Sequence, residues 1–524
     1  MSRILSVLYV FCFFSHEFPY KGLLTSLLWH QDQDQGIRPC NVCCEVTAHA
    51  TPTMVKPAAP TIGPLHHLKA GEVATIQRGL LAWYDANKRV LPWRSIAATE
   101  PDTQKRVYAV WISEIMLQQT QVSTVISYFE TWMSKWPRVG DLAQASLEEV
   151  NQVWAGLGYY SRARRLHEGA IKVVEELKGK FPNDKDGLVR ELPGVGRYSG
   201  SAIASIALGQ AVGVVDGNVN RVLARLRGIG SDITSPSTAE HMWNLADQIV
   251  DPKRPGDFNQ AIMELGATVC TPKAPKCNAC PLRAVCVAQQ RSEHLQEKSS
   301  IKNHFQHSKK SVEEEEPSIP DIECLADCDF CLQKEDWDES LGVQNYPCKG
   351  QKTKQREETT AVVVIECEDN KMLLVQRPKG GLLANLWEFP HIPLMDEDKD
   401  QWEERVTRQV TEQYGIKEPC ASSKTFIADV THIFSHIRQT YRVYKVFLAD
   451  ESVVVWPERY QQGQWMTREE FLASATSTAM KKVLKAVEGA ANKGKNKKTK
   501  NSPADQPTKK QKTISQFFSP TAKK

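Results

Sequence analysis

Four thiols, two acids and a pair of glycines carry most of the chemistry open to this sequence. Cys270-x6-Cys277-x2-Cys280-x5-Cys286 sets four cysteines within 17 residues, and none stands between Cys44 and Cys270. Thiolates this close together make a metal site, and an iron–sulfur cluster and zinc both fit the spacing. Asp216 follows Val214 and Val215 and precedes Gly217 and Asn218. It suits a helix N-cap, and it equally suits an anion oriented by Asn218. Glu114 lies inside the apolar stretch Trp111-Ile-Ser-Glu-Ile-Met-Leu117. A mid-helix glutamate ordinarily faces solvent, so a chemical role needs a further reason. Gly194 and Gly196, in Leu192-Pro-Gly-Val-Gly-Arg-Tyr198, tolerate positive φ and uncover backbone N–H groups at a helix start. Such a corner holds a phosphate oxygen, or it is an ordinary turn between helices.

The elements that position these groups follow from periodicity. At 524 residues the chain exceeds one compact core. Residues 1–68 lack sustained periodicity and read as a disordered leader, although Ile4–Phe14 is an apolar run. Residues 69–290 are helical throughout, with Ile76, Leu80, Leu81 and Tyr84 on one face and punctuation at Gly140, Gly156, Gly158, Pro182, Pro193, Gly213 and Pro236. Residues 291–357 are a charged connector holding Glu313–Glu316 and Cys324-x3-Cys328-x2-Cys331. From Thr359 the period becomes two: Ala361–Ile365, Met372–Val375 and Arg442–Leu448 read as strands, Trp402–Tyr414 and Phe471–Val487 as helices. This gives an α/β module over 358–488. Lys481–Lys524 holds 13 lysines against Glu488 and Asp505, so 489–524 reads as a disordered basic tail, an import signal or a nucleic-acid contact. No apolar run reaches the ~20 residues of a membrane span. The expected location is the nucleus; the acid-poor N-terminus, with Arg3 and Lys21, also fits a mitochondrial form.

The glycine corner, Asp216 and the cysteine quartet together resemble the helix-hairpin-helix DNA glycosylases that carry an iron–sulfur cluster. The 6-2-5 spacing is similar to the [4Fe–4S] site of the endonuclease-III-like members, and that resemblance selects the cluster over zinc. Glu114-Ile-Met-Leu-Gln-Gln-Thr-Gln-Val122, Gly156-Leu-Gly-Tyr-Tyr-Ser-Arg162 and Leu192–Tyr198 resemble the adenine DNA glycosylases of the MutY family, over about 75–290. Breaking an N-glycosidic bond needs a proton on the leaving base and an anion near the developing oxocarbenium, which two acids in different environments supply. The resemblance implies that Glu114 protonates a flipped adenine and that Asp216, with Asn218 beside it, stabilises the sugar cation. Tyr198 stands where lyase-active relatives place a lysine; a phenol forms no Schiff base, so a monofunctional enzyme is expected. Gly194, Gly196 and Arg197 would meet phosphate. Gln118 or Gln119, and Tyr159 or Tyr160, would insert into the duplex, with core packing the alternative, above all for Tyr160.

The second module resembles a Nudix fold whose catalytic helix ends in Arg-Glu-x-x-Glu-Glu-x-Gly. Here the stretch is Arg408-Gln-Val-Thr-Glu-Gln-Tyr-Gly415. Gln409 and Gln413 replace two metal-binding carboxylates, so diphosphate hydrolysis is not expected. MutY proteins use such a module to read 8-oxoguanine. By resemblance Phe434 and Ser435 would contact the lesion and His436 the neighbouring backbone, while Asn385 replaces a usual glycine. Cys324, Cys328 and Cys331 resemble the zinc-binding connector of animal relatives, with Cys348 or a histidine completing the set; that connector also binds the checkpoint clamp in relatives. Gln511-x-x-Ile514-x-x-Phe517-Phe518 fits the motif that plugs into the replication sliding clamp. The expected architecture is an all-α helix-hairpin-helix glycosylase with an iron–sulfur cluster followed by an α/β Nudix-like domain. The expected protein is a monomer that removes adenine opposite 8-oxoguanine or guanine in double-stranded DNA. A bifunctional pyrimidine glycosylase, a non-catalytic damage binder and a nucleotide-pool hydrolase are the rival readings.

Overall fold

A computed structural model describes residues 60–305, 328–348, 355–395, 400–416, 424–434, 437–449, 454, 457 and 459–497. The first part is helical: α1 (Ala70–Asn87), α2 (Pro92–Thr99), α3 (Thr103–Leu117), α4 (Val122–Lys135), α5 (Val139–Gln144), α6 (Leu147–Trp154), α7 (Ser161–Glu175), α8 (Lys185–Glu191), α9 (Arg197–Leu208), α10 (Gly217–Arg227), α11 (Pro236–Ile249), α12 (Pro255–Thr268) and α13 (Val287–Phe305). α3 starts where the Asp102 carboxylate accepts from the Gln104 N–H, and every residue from Val107 to Met116 is buried. A helix buried all round is a central one. One core gathers about it, with Trp111, Phe129, Trp132 and Trp154. A second core joins the predicted face of α1 to α10, α11 and α12 through Leu80, Leu223, Leu245 and Phe258. α9 serves both, with Ile203 in the first and Ala202 in the second. The cleft between the lobes is therefore set by the packing of α9.

Among the described residues, the second part is a seven-stranded sheet: β1 (Arg356–Cys367), β2 (Met372–Gln376), β3 (Trp387–Glu388), β4 (His391–Leu394), β5 (Thr425–Ile433), β6 (Ile437–Leu448) and β7 (Gly463–Met466). The order is β3-β2-β1-β6-β5, with β4 on β1 and β7 on β2. β1 and β6 run parallel from Arg356 opposite Ile437 to Cys367 opposite Leu448. The buried faces of β1 alternate: Val363 and Ile365 face α14 (Trp402–Tyr414), while Val362 and Val364 join the core of α15 (Arg468–Ala473) and α16 (Thr478–Lys497). Successive side chains of the strand thus point to opposite faces, and the unbroken apolar run fills both cores.

Four boundaries differ from the sequence reading. The leader is not structureless up to 68, because His66 is fully buried. α13 crosses position 290 and continues to Phe305. The single closing helix expected over 471–487 is two helices: Trp387 N donates to Ala475 O at 2.9 Å, and that pairing holds the intervening chain extended. α16 then runs past 488 to Lys497. Cys324, Ser435, His436 and the clamp motif Gln511, Ile514, Phe517 and Phe518 lie outside the described residues.

Candidate active site

The cleft between the helical lobes holds a cavity of about 590 Å³ that both predicted acids line. Glu114 reaches it from α3 and is 5% exposed. Its Oε2 accepts the Tyr198 hydroxyl at 2.9 Å. Burial pushes its carboxyl up to about 7, the Asp216 charge adds to the rise, and the Tyr198 hydrogen bond and Arg94 oppose it. A substantial share of Glu114 thus keeps its proton near neutral pH, in contrast to a solvent-facing helix glutamate. Burial also raises the Tyr198 hydroxyl well above the usual phenol range, so the phenol stays a donor.

Asp216 comes from the other lobe and starts α10. Its Oδ1 accepts from the N–H groups of Asn218 and Val219 at 2.9 and 2.7 Å, and its Oδ2 from the Asn218 side-chain amide at 2.9 Å. The N-cap reading and the oriented-anion reading both hold, one on each oxygen. Asn218 Oδ1 in turn accepts from Arg221 Nη2 at 2.9 Å, and Arg221 Nε donates to the Cys270 carbonyl at 2.7 Å. α12 closes on this group at Gly266, where a Cβ would stand 2.7 Å from Asn218 Cβ.

Sequence reasoning missed three side chains of the cavity wall. Glu264, buried on α12, receives Arg89 Nε at 2.6 Å and Arg94 Nη2 at 2.9 Å, and these charges hold its carboxyl below the usual range against the effect of burial. The wall therefore presents a fixed anion and two guanidinium groups to whatever enters. The pairing spans most of the helical domain in sequence, so no local pattern announces it. Arg221 was more accessible to reading: it lies three residues after Asn218 on the same helix face.

The two alternatives left open by the sequence separate in space. Gln118 Nε2 donates to Ser199 Oγ at 3.2 Å, whereas Gln119 is exposed with φ +58°. Tyr159 is 46% exposed with φ +48°. Tyr160 takes the packing alternative: it is buried, its hydroxyl accepting from Gly156 N at 3.1 Å and donating to Thr476 O at 3.1 Å. Gly194 adopts φ +78°, and a Cβ there would lie 2.7 Å from Arg165 Cδ. Arg197 is held by Glu240 at 2.6 Å and lies 4.2 Å from the Trp243 ring centre.

A second cavity, about 320 Å³, lies between the helical part and the sheet module. Tyr159, Arg164, Leu383, Asn385, His432 and Phe434 line it. Asn385 adopts φ +62° and its neighbour Leu383 φ +58°; asparagine suits that left-handed geometry far better than leucine. In α14, Gln413 Oε1 accepts from Arg459 Nη2 at 3.1 Å. A guanidinium thus meets a side chain that the Nudix pattern would give to a metal.

Cys270, Cys277, Cys280 and Cys286 line one small cavity of about 30 Å³, with Arg225 and the connector residue Val343. Among the described residues, the group whose ligand atoms all lie within 4.8 Å of one another is His66, Cys328 and Cys331. His66 Nδ1 faces the Arg227 carbonyl at 2.9 Å, and a carbonyl only accepts, so Nδ1 carries the proton. Nε2 is left with its lone pair toward Cys331 Sγ, 3.4 Å away. A histidine does join the connector cysteines, and it comes from the segment read as leader. Only its place beside Pro64 and Leu65 marks it in the sequence.

The profile of the HhH-GPD superfamily base excision DNA repair proteins matches residues 112–248, and that of the NUDIX domain residues 361–486. The chain is 50% identical over 422 residues to a Homo sapiens adenine DNA glycosylase, covering 80% of this chain and 75% of that one. A Mus musculus adenine DNA glycosylase is 48% identical over 438 residues, covering 82% and 81%. Among solved structures, a thermostable thymine-DNA glycosylase is similar at 25% identity, with 42% of this chain and 98% of that one covered and a TM-score of 0.37. At this identity over this much of both sequences, the chain belongs to the MutY family of adenine DNA glycosylases.

Proposed function

We infer that this enzyme removes adenine mispaired with 8-oxoguanine, and with guanine, by hydrolysing the N-glycosidic bond, and that it leaves an abasic site in an unbroken strand. The observation that carries this reading is Glu114, a buried carboxyl raised to about 7, facing the cavity that Asp216 closes from the other lobe. A proton donor and a fixed anion on opposite lobes match the two charges of the reaction. Glu114 gives its proton to the departing base, and the Arg89–Glu264–Arg94 wall holds that base. Asp216 faces the sugar as positive charge grows on it, and Asn218 keeps the carboxylate aimed. Tyr198 offers a phenol and no amine, so no Schiff base forms and the backbone survives.

The remaining roles divide along the geometry. Gln119 and Tyr159, both exposed on strained turns, enter the duplex, and Gln118 steadies the first turn through Ser199. Gly194 and Gly196 offer amides to phosphate, and Arg197 joins them by exchanging Glu240 for phosphate. Phe434, which lines the cavity shared by the two modules, reads the lesion, and the resemblance gives Ser435 and His436 their part in that reading.

Cys270, Cys277, Cys280 and Cys286 hold a [4Fe–4S] cluster. The four thiols line one small cavity, and their 6-2-5 spacing, which resembles the endonuclease-III-like site, favours the cluster over a single zinc. When bound, it supplies a rigid, non-catalytic anchor; Arg221 and Arg225, both bonded to the Cys270 carbonyl, tie that loop to the helix that starts at Asp216. His66, Cys328 and Cys331, with Cys324 as the remaining donor, take zinc, and the Arg227 carbonyl fixes the histidine tautomer as an outer-shell partner does. The tail motif Gln511–Phe518 binds the replication clamp, the connector binds the checkpoint clamp, and the lysine-rich tail directs the enzyme to the nucleus, with a mitochondrial form from the N-terminus.

Asp216→Asn and Glu114→Gln test the reading together. Both variants are expected to bind the mispaired duplex and to release adenine more than about 100-fold more slowly. Release near the native rate by either would remove that acid from the mechanism.

A further inference from the structure

Arg162 opens α7 one residue after Ser161, and its side chain runs back into the protein. It is buried, with 6% exposure. Nη1 donates to the carbonyls of Ile115, Met116 and Gln118 at 2.9, 2.9 and 2.7 Å. Nη2 donates to Thr120 Oγ1 at 3.3 Å and to the carbonyls of Leu157 and Gly158 at 3.3 and 2.9 Å. Nε reaches the Tyr159 carbonyl at 3.4 Å. The guanidinium also lies 5.0 Å from the ring centre of Trp154 and 5.5 Å from that of Tyr159. Burial lowers its pKa to about 10, which leaves it charged at neutral pH. Carbonyl oxygens balance that charge, and those from α3 belong to the negative end of the helix dipole.

The two segments it joins are the two that present Gln119 and Tyr159. Both residues hold left-handed backbone, at φ +58° and +48°, which persists in non-glycine residues only where the surroundings fix it. Arg162 is the group common to both surroundings. Tyr160, between Tyr159 and Arg162, adds a tie from the same turn to the sheet module through Thr476. Upstream, the carbonyls that Arg162 holds lie on the turn of α3 that follows Glu114.

We propose that Arg162 is a positioning residue that couples the two DNA-inserting turns, so that Tyr159 and Gln119 enter the duplex as one unit and set the end of the Glu114 helix as they do so. This rests on the insertion roles given above to Gln119 and Tyr159. An arginine that merely capped α3 would stabilise the fold without linking the two side chains energetically.

The test is a coupling measurement on the full-length protein. Tyr159→Leu, Gln119→Ala and the double variant are compared in the native chain and in Arg162→Lys, which keeps the charge with a shorter reach. Single-turnover adenine release is read alongside fluorescence of a 2-aminopurine placed beside the target adenine. In the native chain the double variant should be slower than either single one by much less than the product of their effects, with a coupling of about tenfold. In Arg162→Lys the effects should multiply, the fluorescence rise on binding should shrink, and the pH at which Glu114 loses its proton should stay in place. Should Arg162→Lys fail to fold, Thr120→Val removes one partner and should reduce the coupling partway. Multiplying effects in the native chain, or unchanged coupling in Arg162→Lys or Thr120→Val, would overturn the inference. If neither Tyr159→Leu nor Gln119→Ala slows release, the insertion roles themselves fall and this inference with them.

Discussion

The hydroxyl of Tyr198 donates to Glu114 Oε2 at 2.9 Å, so the phenol proposed to stand in for a lyase amine also tunes the acid. The donor favours the ionised carboxylate, which means that it lowers a pKa that burial has raised to about 7. Tyr198→Phe removes that effect. The pH above which single-turnover release declines should therefore move upward in the variant, with the decline about tenfold per pH unit in both proteins. A downward move in the rate–pH profile would contradict the assignment of Glu114 as the proton donor.

The same burial predicts a stability signature. Glu114 has a pKa of about 7 in the folded chain against an ordinary 4.5, so the folded state holds its proton more tightly than the unfolded state. Native stability is accordingly lost as pH rises from 4.5 to 7. Gln cannot ionise and can still accept from Tyr198. Glu114→Gln should thus be more stable than the native protein at pH 8, by up to about 3 kcal/mol, and nearly equal at pH 4. Urea denaturation at the two pH values reads this directly.

Asp216 carries a cap and an anion on different oxygens, and asparagine caps as well as aspartate does. Asp216→Asn should keep its thermal midpoint within a few degrees while adenine release falls by more than about 100-fold. Asp216→Ala should lose both, with about 1 kcal/mol of stability gone. An inactive Asn variant that also melted early would show that the carboxylate acts mainly through the fold.

The connector site makes a metal prediction. His66→Ala should lower bound zinc, measured by elemental analysis, while leaving iron and the colour of the cluster in place. Cys270→Ser should do the reverse. Zinc retained in full by His66→Ala would place that donor elsewhere.

Lesion reading can be tested by substitution. Phe434→Ala with Ser435→Ala should erode the preference for 8-oxoguanine:A over G:A and spare the slower G:A reaction. An unchanged preference would remove both residues from that role.

The local motifs made much of this legible. Glu114 and Asp216 sit among apolar neighbours whose periods already place one inside a helix and the other at a helix start. The apolar run Ala361–Ile365 likewise reads as a strand, and the structure buries it on both faces. What stayed hidden depends on contacts between distant segments. Glu264 meets Arg89 and Arg94 only after α12 packs on the start of the domain, and His66 meets Cys328 and Cys331 only when the connector folds back. Adjacent tyrosines 159 and 160 look alike as sequence, and left-handed backbone at the first sends them to opposite environments. The break between α15 and α16 was missed because pairing of Ala475 with Trp387 overrides a helical period.

The most direct measurement of the central claim is single-turnover adenine release from duplexes carrying 8-oxoguanine:A, G:A and T:A, with strand breaks scored before and after alkali. The account predicts fastest release opposite 8-oxoguanine, slower release opposite guanine, little opposite thymine, and breaks only after alkali. Absence of adenine release by metal-replete protein, or breaks that form without alkali, would contradict it.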